Sequence, residues 1–254
     1  MIRSGRPRIA CLVVAFLALA AGGCGGKSSS TTSTSHQAPS SVDFGDNTSR
    51  KVVAFGDSIT VGFLELRRRD FRLITANNYP NILQAKLKAL DPAWIVVNRG
   101  VGGEQTFQGV ARIPSVLAQD KPGFVLIMEG TNDASRCRDA NVTVNNLTAM
   151  VSSAKRNQSI PILGTIPPNF RTNDCPDYYI LEANTKLRAM ASAEGIIVAE
   201  IYEALSNRAL FGVTPERDPL HPNEAGYAVM ADVWYQAILQ AIPGGTTAAL
   251  RRRG

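Results

Sequence analysis

Two histidines occur in the chain, and His36 lies in a run of serine and threonine, so His221 is the imidazole available to a folded domain. It stands in Asp218-Pro219-Leu220-His221-Pro222-Asn223, between two prolines that stiffen the approach to a helical pattern. Asp218 is close enough in sequence to reach one ring nitrogen and fix the tautomer, leaving the other free to act as a base. The hydroxyl that such a base would activate is Ser58, at the end of Val52-Val53-Ala54-Phe55-Gly56-Asp57-Ser58. A short apolar run stops there at a glycine, which permits a sharp turn out of a buried strand. A serine in that place either caps the following helix or serves as a nucleophile. With Ser58, Asp218 and His221 the chain holds nucleophile, orienter and base, in that order. One imidazole and few other soft ligands argue against a metal centre, and no metal or organic cofactor is expected.

Acyl transfer also needs donors aimed at the oxygen on which charge develops. The backbone N–H groups of Ser58 and Gly103 and the side-chain amide of Asn132 are the candidates. Gly103 closes the turn Asn98-Arg99-Gly100-Val101-Gly102-Gly103, where the absence of a side chain lets backbone approach a substrate. Asn132 lies in Glu129-Gly130-Thr131-Asn132-Asp133, directly after an apolar run. Each residue alone reads more simply as a turn or cap. Their joint value depends on whether one edge of one sheet collects them.

The elements predicted from periodicity would do so. Strands are expected at Lys51–Phe55, Trp94–Val97, Phe124–Met128, Ile160–Thr165 and Ile196–Ile201. Helices are expected over Tyr79–Leu90 (with Asn78 as cap), Thr106–Ala118, Asn146–Arg156, Tyr178–Glu194 and Asn223–Ile242. Pro114 should kink or shorten the second of these. Glu65–Asn77 reads as a long polar connection. Near-continuous apolar strands alternating with helices give an α/β fold, a three-layer αβα sandwich with a five-stranded parallel sheet of flavodoxin-like type. In such a sheet the loops after the strands share one edge, where ligands bind.

Four blocks, Phe55–Ser58, Asn98–Gly103, Gly130–Asp133 and Asp218–Asn223, resemble those of the SGNH (GDSL-type) hydrolase superfamily of serine esterases and lipases. They stand in family order and span nearly all of 51–242. The stretch Val96–Pro114 is similar to the periplasmic thioesterase/lysophospholipase branch. The resemblance implies Ser58 as nucleophile, Gly103 and Asn132 as oxyanion donors, His221 as base and Asp218 as its orienter. It implies a small-molecule or lipid acyl ester as substrate. Ile59 replaces the leucine of the GDSL label, and the Gly-x-Ser-x-Gly elbow of α/β-hydrolases is absent around Ser58. An acetyl-ester hydrolase or acyltransferase acting on envelope glycans, and a tethered binding module without catalysis, are the alternative readings.

The flanks point to export. Arg3, Arg6 and Arg8 precede an apolar run from Ile9 to Ala21, the layout of a signal peptide over residues 1–23. Leu19-Ala20-Ala21-Gly22-Gly23-Cys24 resembles a bacterial lipoprotein box with Cys24 as the acylated residue, although Ala21 replaces the usual larger aliphatic side chain, so ordinary cleavage stays open. Residues 24–50 are rich in Ser and Thr and read as a flexible tether; 243–254 form a basic tail. Loss of the leader arginines lowers the formal charge from +6 to +3, with Arg251–Arg253 in the tail, so the domain is near neutral and a nucleic-acid partner is not expected. The expected membrane partner is reached through the lipid anchor, outside the cytoplasm. Cys137 and Cys175 are the remaining cysteines of the exported domain, and an oxidising compartment predicts a disulfide between them.

Overall fold

The computed structural model describes residues 42–67, 70–171, 175, 177–212 and 219–242. Five parallel strands form the main sheet: β1 (Thr48–Gly56), β4 (Ile95–Gly100), β5 (Pro122–Met128), β6 (Ile160–Gly164) and β7 (Ile197–Ala199). Their spatial order is β4-β1-β5-β6-β7, the flavodoxin-like arrangement in which the chain reverses direction between β1 and β5. The register sets Gly56 beside both Gly100 and Met128, so β1, β4 and β5 end together.

Both faces of the sheet are covered, and β1 shows why. Val52 and Ala54 face one core, built with Tyr79, Leu83 and Leu87 of α2 (Tyr79–Leu90) and Tyr227, Met230 and Trp234 of α8 (Glu224–Ala241). Val53 and Phe55 face the other, against α3 (Thr106–Asp120), α5 (Ala140–Arg156) and α6 (Tyr178–Glu194). Alternate residues enter opposite cores because strand side chains alternate across the sheet. A strand buried on both sides therefore reads as an unbroken apolar run.

Three expectations are corrected. The connection over Glu65–Asn77 is in large part an antiparallel hairpin, β2 (Phe63–Arg67) with β3 (Asp70–Leu73). Its charged, arginine-rich sequence hides strands that, among the described residues, pair only with each other; Arg68 and Arg69 lie outside the described residues. Helix α3 runs through Pro114 to Asp120. Pro114 is on the exposed side, where a carbonyl deprived of its N–H partner can be hydrated, while Ile113, Val116 and Leu117 are anchored in the core. Helix α5 begins at Ala140, capped by the Asp139 carboxylate, rather than at Asn146. The run Val142-Thr143-Val144 has poor helix propensity, but Thr143 and Val144 are buried and packing overrides it.

Strand β1 also begins upstream of Lys51, at Thr48, and the Phe44 ring packs 5.8 Å from that of Phe124. Among the described residues no helix is long and apolar enough to cross a membrane. Cys24 and the leader lie outside the described residues.

Candidate active site

The turn after β1 gives Ser58 its freedom. Asp57 caps the short helix α1 (Ser58–Val61), its carboxylate accepting the Ile59 N–H at 2.9 Å. The capping role open to Ser58 is thus filled by its neighbour, and Ser58 is the first helical residue. Gly56 is required by space rather than by backbone angle. A Cβ there would meet the Thr60 hydroxyl and lie 2.5 Å from the Met128 carbonyl oxygen. Asn98 fastens the turn from the side, donating to Thr60 O at 2.8 Å and accepting the Gly100 N–H at 2.9 Å. The second block is therefore a clamp on the first.

His221 arrives from the far end of the chain. Its Nε2 lies 2.9 Å from Ser58 Oγ, in a buried hydrogen bond spanning 163 positions of sequence. When Nε2 carries no proton, the Ser58 hydroxyl donates to it. His221 is 3% exposed and Ser58 9%. The loop is held by Gly212 N–H to His221 O at 3.0 Å and Asn223 N–H to Leu210 O at 2.9 Å. Phe170, in the connection after β6, also donates its N–H to Pro219 O at 3.0 Å. Asp218 lies outside the described residues.

Asn132 belongs to α4 (Thr131–Ala134), the short helix after β5. Its amide donates to the backbone oxygen of Glu104 at 2.9 Å and lies 3.4 Å from Asp57 Oδ2. The loops after β1, β4 and β5 thus converge through one side chain. Gly103 precedes Glu104 and takes a positive φ of 77°, which a glycine adopts without strain. Asp133, wholly buried, accepts the Thr106 N–H at 2.9 Å and the Thr106 hydroxyl at 2.7 Å, tying α4 to the start of α3.

The disulfide Cys137–Cys175 is present, with Cα atoms 5.3 Å apart. It joins the loop after α4 to the connection between β6 and α6. Asn169 Nδ2 to Ser135 Oγ, 3.2 Å, links the same two segments.

Sequence reasoning assigned no role to three buried acids at this edge: Asp57, Glu104 and Glu129. Asp57 has its pKa raised to about 6 by burial, against the opposing hydrogen bond from Ile59 and the charge of His221. Glu129 is raised well above the carboxylate range, chiefly by burial and then by the charge of Asp57. Glu104 is paired with Arg112, whose Nε donates to it at 2.8 Å and whose guanidinium stacks 3.9 Å from the Phe55 ring centroid. The signal available in sequence was an acid directly after an apolar strand or glycine turn, a position where solvation does not require one. Among the described residues no cluster of three or more His, Cys, Asp or Glu side chains is placed to hold a metal.

Residues 54–229 match the model of the GDSL-like lipase/acylhydrolase family. The chain belongs to that family. Within it, the chain is similar to an arylesterase of Vibrio mimicus, 30% identical over 124 residues, covering 48% of this chain and 58% of that protein. Similarity to the esterase TesA of Pseudomonas aeruginosa is longer: 27% identity over 191 residues, 72% of this chain and 85% of the relative. A crystal structure of a lipase/acylhydrolase from Enterococcus faecalis superposes with a TM-score of 0.64 at 25% identity, covering 74% of this chain and 95% of the other. The GDSL-type match begins within β1 and ends within α8, so it contains every element that builds this edge.

Proposed function

We propose that the protein hydrolyses carboxylic acyl esters, with Ser58 as nucleophile and His221 as base. The observation that carries this reading is the buried 2.9 Å contact between Ser58 Oγ and His221 Nε2, between residues 163 positions apart. A serine needed only as a cap would have no use for it, and Asp57 already caps α1.

In the first step the Ser58 hydroxyl proton passes to Nε2 as Oγ bonds to the ester carbonyl carbon. Negative charge moves to the carbonyl oxygen, for which Ser58 N–H, Gly103 N–H and the Asn132 amide are the assigned donors. Glu104 O holds one Asn132 N–H at 2.9 Å and fixes the amide plane, while the amide also makes a long 3.4 Å hydrogen bond to Asp57 Oδ2, the weaker contact, which the oxyanion would displace. The tetrahedral species collapses as the carbon–oxygen bond to the alcohol breaks and the imidazolium returns its proton to that oxygen. Water then attacks the acyl-Ser58 ester with His221 again as base; the Oγ–carbon bond breaks and Ser58 recovers its proton. Asp218 is assigned, by its position three residues before His221 and by the family pattern, to orient the ring.

Residues 51–242 form the hydrolase domain in this proposal, and the leader, Cys24 and the Ser/Thr-rich tether place it on the outer side of a membrane. Detergent partitioning of the chain made in a bacterial host should be lost in Cys24→Ser; unchanged partitioning would remove the anchor from the proposal. The enzymatic reading is tested with p-nitrophenyl acyl esters of increasing chain length. Turnover that disappears in Ser58→Ala separates an enzyme from a tethered binder. The chain-length profile separates acetyl-type from lipid-type substrates.

A further inference from the structure

Glu129 directly follows β5, beside Asp57 at the end of β1, and is 1% exposed. Neither carboxyl oxygen meets an N–H or O–H donor among the described residues. What lies within hydrogen-bonding reach is another acceptor, the carboxyl of Glu104. Two ionised carboxylates cannot share a dry space at that range, so one proton lies between them. Arg112 decides its owner. The guanidinium grips both Glu104 oxygens, Nε to Oε1 at 2.8 Å and Nη2 to Oε2, and so keeps Glu104 ionised. Arg112 is itself committed, donating to Arg99 O at 2.9 Å and stacking on Phe55, so it is not available to neutralise Glu129.

On the reading given under Proposed function, we infer that Glu129 is a positioning residue: a protonated buried acid that donates to the Glu104 carboxylate, holds the loop whose carbonyl aims Asn132, and disables the site when it ionises. The linkage is short. Glu129 fixes the side chain of Glu104, and the backbone oxygen of Glu104 fixes the Asn132 amide at 2.9 Å. The groups that face Glu129 agree with a neutral state. Asp57 and Glu104 oppose its charge, Arg112 favours it, and the Tyr79 hydroxyl, bonded to Thr60 at 3.0 Å, is kept neutral chiefly by burial and then by the charge of Asp57. The charge of His221 bears on the Asp57 carboxylate. Loss of the Glu129 proton would put acceptor against acceptor and add negative charge behind the site where an oxyanion forms. The penalty would fall on kcat, since the ground-state ester carries no such charge.

The test compares wild type, Glu129→Gln, Glu129→Leu and Ser58→Ala in the full chain, by pH profiles of p-nitrophenyl ester hydrolysis and by infrared spectroscopy of carboxyl groups. Wild type should lose kcat at alkaline pH. Glu129→Gln, which keeps an N–H donor but cannot ionise, should restore turnover and lack that limb. Glu129→Leu should lower kcat by about 10–100-fold with little change in KM, as for a lost buried hydrogen bond to a charged group. The infrared band of a protonated buried carboxyl should be present in wild type and Ser58→Ala at neutral pH and absent from both Glu129 variants. If Glu129→Leu does not fold, the glutamine profile and the band still decide. An unchanged alkaline limb in Glu129→Gln, or no such band in wild type, would overturn the inference. An inactive wild type that retains the band would overturn the esterase reading while upholding the proton assignment.

Discussion

The two halves of the site are built by different means. Ser58 opens α1 directly after β1, the strand between β4 and β5, and its turn is clamped by Asp57, Gly56 and Asn98 within the three strand ends that share a register. His221 stands on a loop between the Arg208–Leu210 turn and α8, held by backbone bonds to Leu210, Gly212 and Phe170. The first half is held by strands β1, β4 and β5, which are paired in register, with β5 and the carboxyl end of β1 buried. The second depends on its neighbouring loops, one of which, the connection carrying Phe170, is tied by Cys137–Cys175 to the loop after α4. The proposed nucleophile is thus positioned by the sheet, and the proposed base by contacts between loops.

The largest effect should come from showing that the halves act as one. Ser58→Ala and His221→Ala should each abolish ester hydrolysis, and the double variant should be scarcely worse than either, because a proton relay lacking one member has nothing left to lose. Additive losses would mean that the 2.9 Å contact is not catalytic. Asn132→Ala should lose about 10²–10³ in kcat with a smaller change in KM, as expected for one oxyanion donor. A rise confined to KM would recast Asn132 as a binding residue.

Smaller effects should separate the halves. Replacing Cys137 and Cys175 by serine opens a loop of 38 residues and should cost about 4 kcal/mol of stability in the chain-entropy view. Because the staple serves the histidine side, activity should become temperature-sensitive well before the sheet unfolds, read by activity against far-ultraviolet circular dichroism on heating. Coincident losses would place both halves in one cooperative unit.

The nucleophile side should show itself through pH. Asp57 is raised from 3.8 to about 6, mainly by burial, so the folded chain holds a proton there that the unfolded chain has released. Its favourable contribution is complete below about pH 4 and is lost as pH rises through 6, a change of about 3 kcal/mol. Asp57→Asn retains an acceptor for the Ile59 N–H and should abolish this slope, measured as denaturant stability across pH 4–7. The fall in kcat/KM on acidification, which reports protonation of the base, should persist in the same variant. If it vanished, the acid limb would belong to Asp57 instead of His221.

The main sheet was legible because burial on both faces leaves an unmistakable trace: Val52–Phe55 and Phe124–Met128 are apolar without interruption. Helices α2 and α6 coincide with expectation for a related reason, local signals at their ends such as the Asn78 cap before α2 and Gly195 after α6. The hairpin β2–β3 and the first turns of α5 were not legible. The hairpin is hidden by the charged residues of its strands, and the start of α5 by β-branched residues whose burial, not their propensity, makes them helical.

At the site, the kinds of residue were readable and their connections were not. By itself the sequence determined an α/β sheet with the Ser58, Asn98–Gly103, Asn132 and His221 blocks after strands or before the last helix, because periodicity and turn chemistry are local. Only the tertiary structure decided that Asp57 caps α1, that Asn98 clamps the Ser58 turn, and that Glu129 is buried with no donor among the described residues. The reason is physical: whether a carboxyl is solvated, paired or proton-bearing depends on which groups are folded against it, and no stretch of its own sequence carries that information.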